Sequence, residues 1–129
     1  MAQAANIVLA DGQATPVNRT FSVEDVKSGI ATFVDRSTGM ASRFARLTLR
    51  WATPQPNKAA KESFLVSMPV YGVLPSGAQG VIYTPRFRVE VELPDGCTDA
   101  ERKDLYAFGI NGLQNTLVRG SLRDYDFPY

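Results

Sequence analysis

Histidine is absent from the 129 residues, and cysteine occurs once, as Cys97. The first absence removes the commonest general base and the commonest transition-metal ligand. The second excludes an intrachain disulfide and a cysteine-rich zinc site. A cysteine nucleophile normally needs a base beside it, so Cys97 reads as a passive residue next to a turn. Long apolar runs are missing too. No stretch approaches the roughly 18–20 residues of a membrane span, and the opening Met-Ala-Gln-Ala-Ala-Asn lacks the pattern of a signal peptide. There is no Walker loop, no metal-ligand spacing and no internal repeat. These absences argue against an enzyme. They predict a soluble chain kept in the cytosol, with no cofactor, no membrane partner and no small-molecule substrate.

What is present suffices for a core. Val, Leu, Ile and Phe together number 33 of the 129 residues, above the range of disordered chains. The length fits a single domain, 1–129. Net charge is only +1, but it is unevenly spread. Residues 1–35 and 95–129 are each acidic by two charges, whereas 36–94 carries eight bases against Glu62, Glu90 and Glu92. Within it, Arg36, Arg43, Arg46, Arg50, Lys58 and Lys61 occur with no acid among them. One basic region on a near-neutral chain suits a polyanion. Arginine outnumbers lysine ten to four, which fits bidentate phosphate contacts.

The first ninety-odd residues read as β structure. Asn6–Ala10 and Ala14–Phe21 flank Asp11-Gly12, a hairpin signal, so 1–21 is expected to be a hairpin. Ser22–Gly29 reads as a connection. Strands are expected at Ile30–Arg36, Phe44–Thr53, Lys61–Met68 and Arg86–Leu93, with prolines ending several of them. Short strands at this spacing imply an antiparallel meander over 30–94, and the architecture expected is an N-terminal β-hairpin, a five-stranded antiparallel sheet and C-terminal helices. Alternation then assigns faces. Leu47, Leu49 and Trp51 share one face, with Phe64, Val66 and Met68, and Phe87, Val89, Val91 and Leu93. The other face carries Arg46, Thr48, Arg50, Lys61, Ser63, Arg86 and Arg88, together with Leu65, Glu90 and Glu92. An ordinary solvated sheet face is the plain alternative, although such faces usually mix charges more evenly.

The period changes after Pro94. Thr98-Asp99-Ala100-Glu101 is a capping box, and Tyr106, Ile110, Leu113 and Leu117 recur as a helical stripe, placing helices over 98–124. Asp99, Glu101 and Asp104 fit helix-start and solvated roles rather than catalysis. Gly109 and Gly112 each cost about 1 kcal/mol relative to alanine and suggest close packing or a bend. Gly120 marks an end or a break. The fold class is therefore α+β, sheet first and helices after. Roughly twenty helical residues are modest cover for such a sheet, and its open edges need pairing. A homodimer with paired edges and shared helices solves both problems. The segment 70–82 reads as a long inter-strand loop. Its Tyr71, Val73, Leu74, Pro75, Val81 and Ile82 are too apolar for a solvated connector and suggest burial against other copies.

Taken together, Gly29–Val34, Ala45–Trp51, Ser63–Pro69, Arg86–Pro94, the capped helix and the terminal tyrosine resemble the coat proteins of single-stranded RNA bacteriophages, the leviviruses. The resemblance spans nearly the whole chain in element order. It implies intertwined homodimers whose sheets join and whose helices pack across the partner. It implies assembly in the host bacterial cytoplasm into an icosahedral T=3 virion shell, enclosing the single-stranded RNA genome. The polar sheet face would look inward to RNA, and the long loops would meet at symmetry axes. Many relatives also bind an RNA hairpin and repress translation. By position, Ile30, Thr48, Arg50, Ser63 and Leu65 fall where that family lines an adenine pocket. Arg50 and Leu65 depart from a common small hydroxyl and lysine there. Arg86 and Arg88 stand where some relatives carry tyrosine and asparagine. The expected phosphate partners are Arg46, Arg50, Lys61, Arg86 and Arg88, with Thr48 and Ser63 contacting bases. The alternative is a stand-alone β-sheet module for single-stranded nucleic acid. Such modules stack bases on exposed aromatics, and the polar face here offers mainly Phe44.

Overall fold

In a computed structural model, which describes residues 2–129, the period-two stretches pair as strands and the helical stripe coils. The elements run β1 (Ile7–Ala10), β2 (Asn18–Lys27), β3 (Ile30–Asp35), β4 (Ala45–Arg50), β5 (Ala60–Ser67), β6 (Val70–Val73), β7 (Gln79–Tyr83), β8 (Arg86–Leu93), α1 (Asp99–Gln114) and α2 (Thr116–Asp124). The class is α+β, as the sequence implies. One antiparallel sheet has the order β1-β2-β3-β4-β5-β8, and β6-β7 forms a separate pair.

The sheet has six strands rather than five because β2 belongs to two ladders. Its first residues, Asn18–Phe21, pair with β1, and Ser22–Lys27 pair with β3. The segment expected as a connection is thus strand. A bulge between Val23 and Asp25 absorbs the residue that breaks its alternation. The N-terminal turn is also wider than an Asp-Gly turn. Asp11 closes it, its carboxylate accepting from the Gln13 and Val17 amides at 3.3 and 3.1 Å. The long strand expected over Phe44–Thr53 shortens to β4: Phe44 caps the 3-10 turn Ala41–Arg43, and Trp51–Thr53, before Pro54, leave the ladder. The expected loop 70–82 is instead the β6-β7 hairpin, with Gly72 opposite Gly80 and Gly77 at φ 84° in the turn. A Cβ on Gly80 would stand 2.9 Å from Leu74 Cδ1, so this glycine lets Leu74 lie across the hairpin.

Alternation builds the core. Phe33 pairs with Leu47, and Leu47 with Val66, stacking one face across three strands. Phe21, Ala31, Phe33, Ala45 and Leu47 are buried there, with Ile7, Val23, Phe64 and Val66 packed against them. The β1-β2 hairpin lies along this half of the face. The other half stays open, with Leu49 41% and Phe87 45% exposed.

The helices do not close that half within one chain. The capping box forms as expected: Thr98 Oγ1 accepts from the Glu101 amide at 3.2 Å, and Glu101 Oε2 accepts from the Thr98 amide at 2.8 Å. Yet neither helix has a buried residue. Tyr106, Ile110 and Leu113 face Leu49, Phe64 and Val89 only across an open groove. Nothing lies within 4 Å of where Gly109 or Gly112 would carry a Cβ, so no packing inside the chain explains them. The helical break falls at Asn115, whose Oδ1 accepts from the Leu117 amide at 3.0 Å, and Gly120 lies inside α2. The chain exposes 9890 Å², whereas a monomer of its mass exposes about 6,700 Å². The helices and the open half of the sheet thus leave apolar surface uncovered within the chain.

Candidate nucleic-acid interface

The face opposite the core is read row by row from the strand register. Val34, Arg46, Ser67 and Arg86 lie side by side across β3, β4, β5 and β8. The next row is Thr32, Thr48, Leu65 and Arg88, and the third is Ile30, Arg50, Ser63 and Glu90. Lys61 and Glu92 face each other in the row beyond. The register thus brings all seven polar residues singled out from the sequence onto one surface. Ile30, Arg50 and Ser63 share one row, with Thr48 and Leu65 adjacent in the next.

Charge on this surface is less one-sided than the strands alone suggest. Arg46 Nε lies 3.7 Å from Glu24, and Lys61 Nζ lies 3.9 Å from Glu92 directly opposite it. Arg50, Arg86 and Arg88 are exposed and, among the described residues, have no carboxylate within 4.0 Å. Three uncompensated guanidiniums on an open sheet face suit an extended polyanion better than an enclosed ligand. Val34, beside Arg46 on this same side, is fully buried.

Other polar features serve structure. Asp35 falls on the core face, where alternation from Ala31 and Phe33 places it, and only 3% of it is exposed. Arg19 donates from Nε to its Oδ2 at 2.6 Å, and the Ser37 amide donates to Oδ1 at 3.0 Å. Burial pushes the Asp35 carboxyl up, but the Ser37 amide and hydroxyl and the Arg19 guanidinium outweigh it and hold it below the usual carboxylate range. This pair is readable from alternation, since an acid at a core position demands a partner. Arg43, from the basic run, sits 4.8 Å from the centre of the Tyr71 ring and ties β6 to the turn before β4. No sequence spacing signals that contact. Among the described residues, no three His, Cys, Asp or Glu side chains group to hold a metal, and no helix is long and apolar enough to cross a membrane.

Comparison with known proteins points one way. The family described as levivirus coat protein matches residues 2–129. A virus-like particle of bacteriophage NT-214 is 26% identical, with a TM-score of 0.89 over 99% of this chain and 100% of that one. A virus-like particle of bacteriophage ESE058 is 28% identical, with a TM-score of 0.87 over 99% and 100%. The bacteriophage GA capsid protein, 14% identical over 97% of this chain and 96% of that one, shares the fold alone, at a TM-score of 0.67. No curated protein matches the chain. Since the family match takes in all described residues and the solved particles superpose nearly end to end, the chain belongs to the levivirus coat proteins, structural proteins of the capsid and not enzymes.

Proposed function

We propose that this coat protein folds as an intertwined homodimer, that dimers close into an icosahedral shell, and that the basic sheet face lies inward on single-stranded RNA. The observation that carries the reading is area. The 9890 Å² of exposed surface exceeds that of a monomer of this mass by about 3,000 Å², the scale of an obligate interface. Tyr106 and Phe108 on α1 and Leu117 and Leu122 on α2 are each more than half exposed. Laying one chain's helices over the open half of its partner's sheet buries both sets without changing the fold. The unpaired β8 edge, which otherwise invites aggregation, then joins its symmetry mate.

On the inward face, Arg46, Arg50, Lys61, Arg86 and Arg88 supply phosphate contacts, and Thr48 and Ser63 supply hydroxyls for bases. The juxtaposition of Ile30, Arg50 and Ser63 with Thr48 and Leu65 supports docking of an unpaired adenine from an RNA hairpin, and with it translational repression. The β6-β7 hairpin, through Tyr71, Val73, Leu74, Pro75 and Val81, meets other copies around the symmetry axes. Assembly inside the host bacterial cytoplasm belongs to the same reading.

Bacterial expression followed by size-exclusion chromatography tests it. A shell-sized peak with the 260/280 nm absorbance ratio of nucleic acid, and filled spheres by negative-stain microscopy, is the expected result. The sphere diameter checks the T=3 expectation. A monomer carrying no RNA overturns the reading, and a monomer that binds RNA fits a stand-alone nucleic-acid module instead.

A further inference from the structure

We infer, resting on the homodimer proposed above, that Glu62 and Arg102 of one chain form an ion pair that seats α1 on the open half of the sheet when a second copy covers it. Alternation puts Glu62 on the apolar face of β5, two residues before Phe64 and directly opposite Val91. It does not lie at the rim, because Ala60 and Leu93 carry the apolar face one row further. Among the described residues it is the one carboxylate lining the groove under α1, beside Phe64, Val91 and Leu93.

Arg102 is its counterpart on the helix. It stands one turn before Tyr106, on the stripe that continues through Ile110 and Leu113. It is the one cation lining the same groove, and together with Glu62 it also lines the neighbouring cleft at the end of the sheet. Each wall of the groove thus carries a single charge, and the two are opposite. In the single chain they are not joined, since no cation lies within 4.0 Å of Glu62 among the described residues. The surrounding charges leave the pairing open. Lys103 Nζ already holds Asp99 at 2.6 Å, so the 3.5 Å contact of Arg102 with Asp99 is dispensable. Arg102 Nη1 donates to the Cys97 carbonyl at 2.8 Å, which fixes the guanidinium at the helix start with donors to spare. Asp95 Oδ2 accepts from the Asn57 amide at 2.9 Å, and Lys58 lines the outer cleft but not the groove. On α2 the helical period sets Arg119 and Arg123 opposite the edge formed by Leu117 and Val118. A partner's α2 seated by that edge brings Glu62 no cation. Covering the groove strips water from Glu62, and a desolvated carboxylate without a partner is costly. Arg102 supplies the partner from the same chain, drawing the start of α1 onto the sheet.

The test is analytical ultracentrifugation of the full-length, RNA-free protein across a concentration series. Arg102→Gln strands the carboxylate and should weaken the dimer about tenfold or more. Adding Glu62→Leu removes the stranded charge and should return the dimer to within about threefold of the parent, because apolar replacement of a buried pair is near neutral. A residue that served only to hold the Cys97 carbonyl would not be rescued this way. A dimer that tolerates Arg102→Gln, or that Glu62→Leu fails to rescue, overturns the pair and leaves the dimer standing. Mixing Glu62→Arg chains with Arg102→Glu chains asks which chain supplies the guanidinium. An in-chain pair leaves the mixture as weak as either variant alone. A mixed dimer restored to parental strength overturns the in-chain pair by placing it across the interface. A monomeric parent overturns the dimer and the pair with it.

Discussion

Arg19 and Asp35 form an ion pair that pins the N-terminal hairpin to the sheet: Arg19 lies on the β2 segment paired with β1, and Asp35 ends β3. The carboxylate is buried while a third of the Arg19 side chain stays in solvent, at 36%. Removing the guanidinium strands a buried charge. The exposure screens it, so Arg19→Ala should cost about 1–3 kcal/mol, below the roughly 3–5 of a fully buried pair. Urea unfolding of the dimer at fixed protein concentration reads the difference.

The same pair sets a pH dependence. The folded Asp35 carboxyl titrates below its ordinary range, so the folded state binds its proton less readily than the unfolded chain. Its contribution is complete above the unfolded value of about 3.9 and is lost as pH falls through the lower folded value. Stability measured from pH 7 down to pH 2 should therefore fall less steeply, in the acidic part of the range, for Asp35→Asn than for the parent. Parallel curves would show that Asp35 is not the group responsible.

Much of this arrangement is legible in the residues, and the parts that are not share a cause. Strict alternation in β4, β5 and β8 places Phe64, Val66 and Val89 on one face and Arg50, Ser63 and Arg88 on the other, as the register has them. The Thr98–Glu101 capping box is visible because both its bonds are local. By contrast, β2 is hidden beyond Phe21 because its bulge shifts the alternation, and that shift also brings Glu24 toward Arg46. The β6-β7 pairing is masked by glycines that only make sense opposite one another. The helical stripe is plain in the sequence, but the cover it promises is not provided within one chain. Periodicity shows which side chains seek burial and not which molecule supplies it.

Two leucines two residues apart separate the core of the chain from the face that the proposed dimer would bury. Leu47 is completely buried, and Leu49 is 41% exposed. Leu47→Ala should destabilise by about 2–5 kcal/mol through the cavity it leaves. Leu49→Asp should leave the hairpin half intact but block association, because the partner's helices would have to bury its charge. Sedimentation of Leu49→Asp as a monomer is the expected result. A dimer of parental strength would mean that the open half of the sheet is not covered by a second copy.

Arg50 is the most direct probe of the proposed RNA face, being exposed and, among the described residues, without a carboxylate within 4.0 Å. Arg50→Ala should lower RNA affinity and reduce the slope of log affinity against log salt by about 0.7 to 1 for each phosphate that Arg50 neutralises, with the dimer unchanged. Filter binding of a single-stranded RNA across a salt series measures both. An unaltered slope would place the phosphate elsewhere.

The β6-β7 hairpin gives the sharpest separation of folding from assembly. It pairs only with itself in the sheet topology, and its Val73 is 63% exposed. Arg43 over the Tyr71 ring anchors it to the rest of the chain, a half-buried interaction of about 0.5–2 kcal/mol. Val73→Asp therefore touches no core and should leave the unfolding free energy within about 0.5 kcal/mol of the parent, as surface changes do. If the hairpin meets other copies, the same charge must be desolvated each time a shell closes, and assembly should stop at dimers or open sheets. Arg43→Ala, which loosens the hairpin without charging it, should give shells of mixed size instead. Normal, uniform particles from both variants, counted by negative-stain microscopy, would remove the hairpin from the contacts that close the shell.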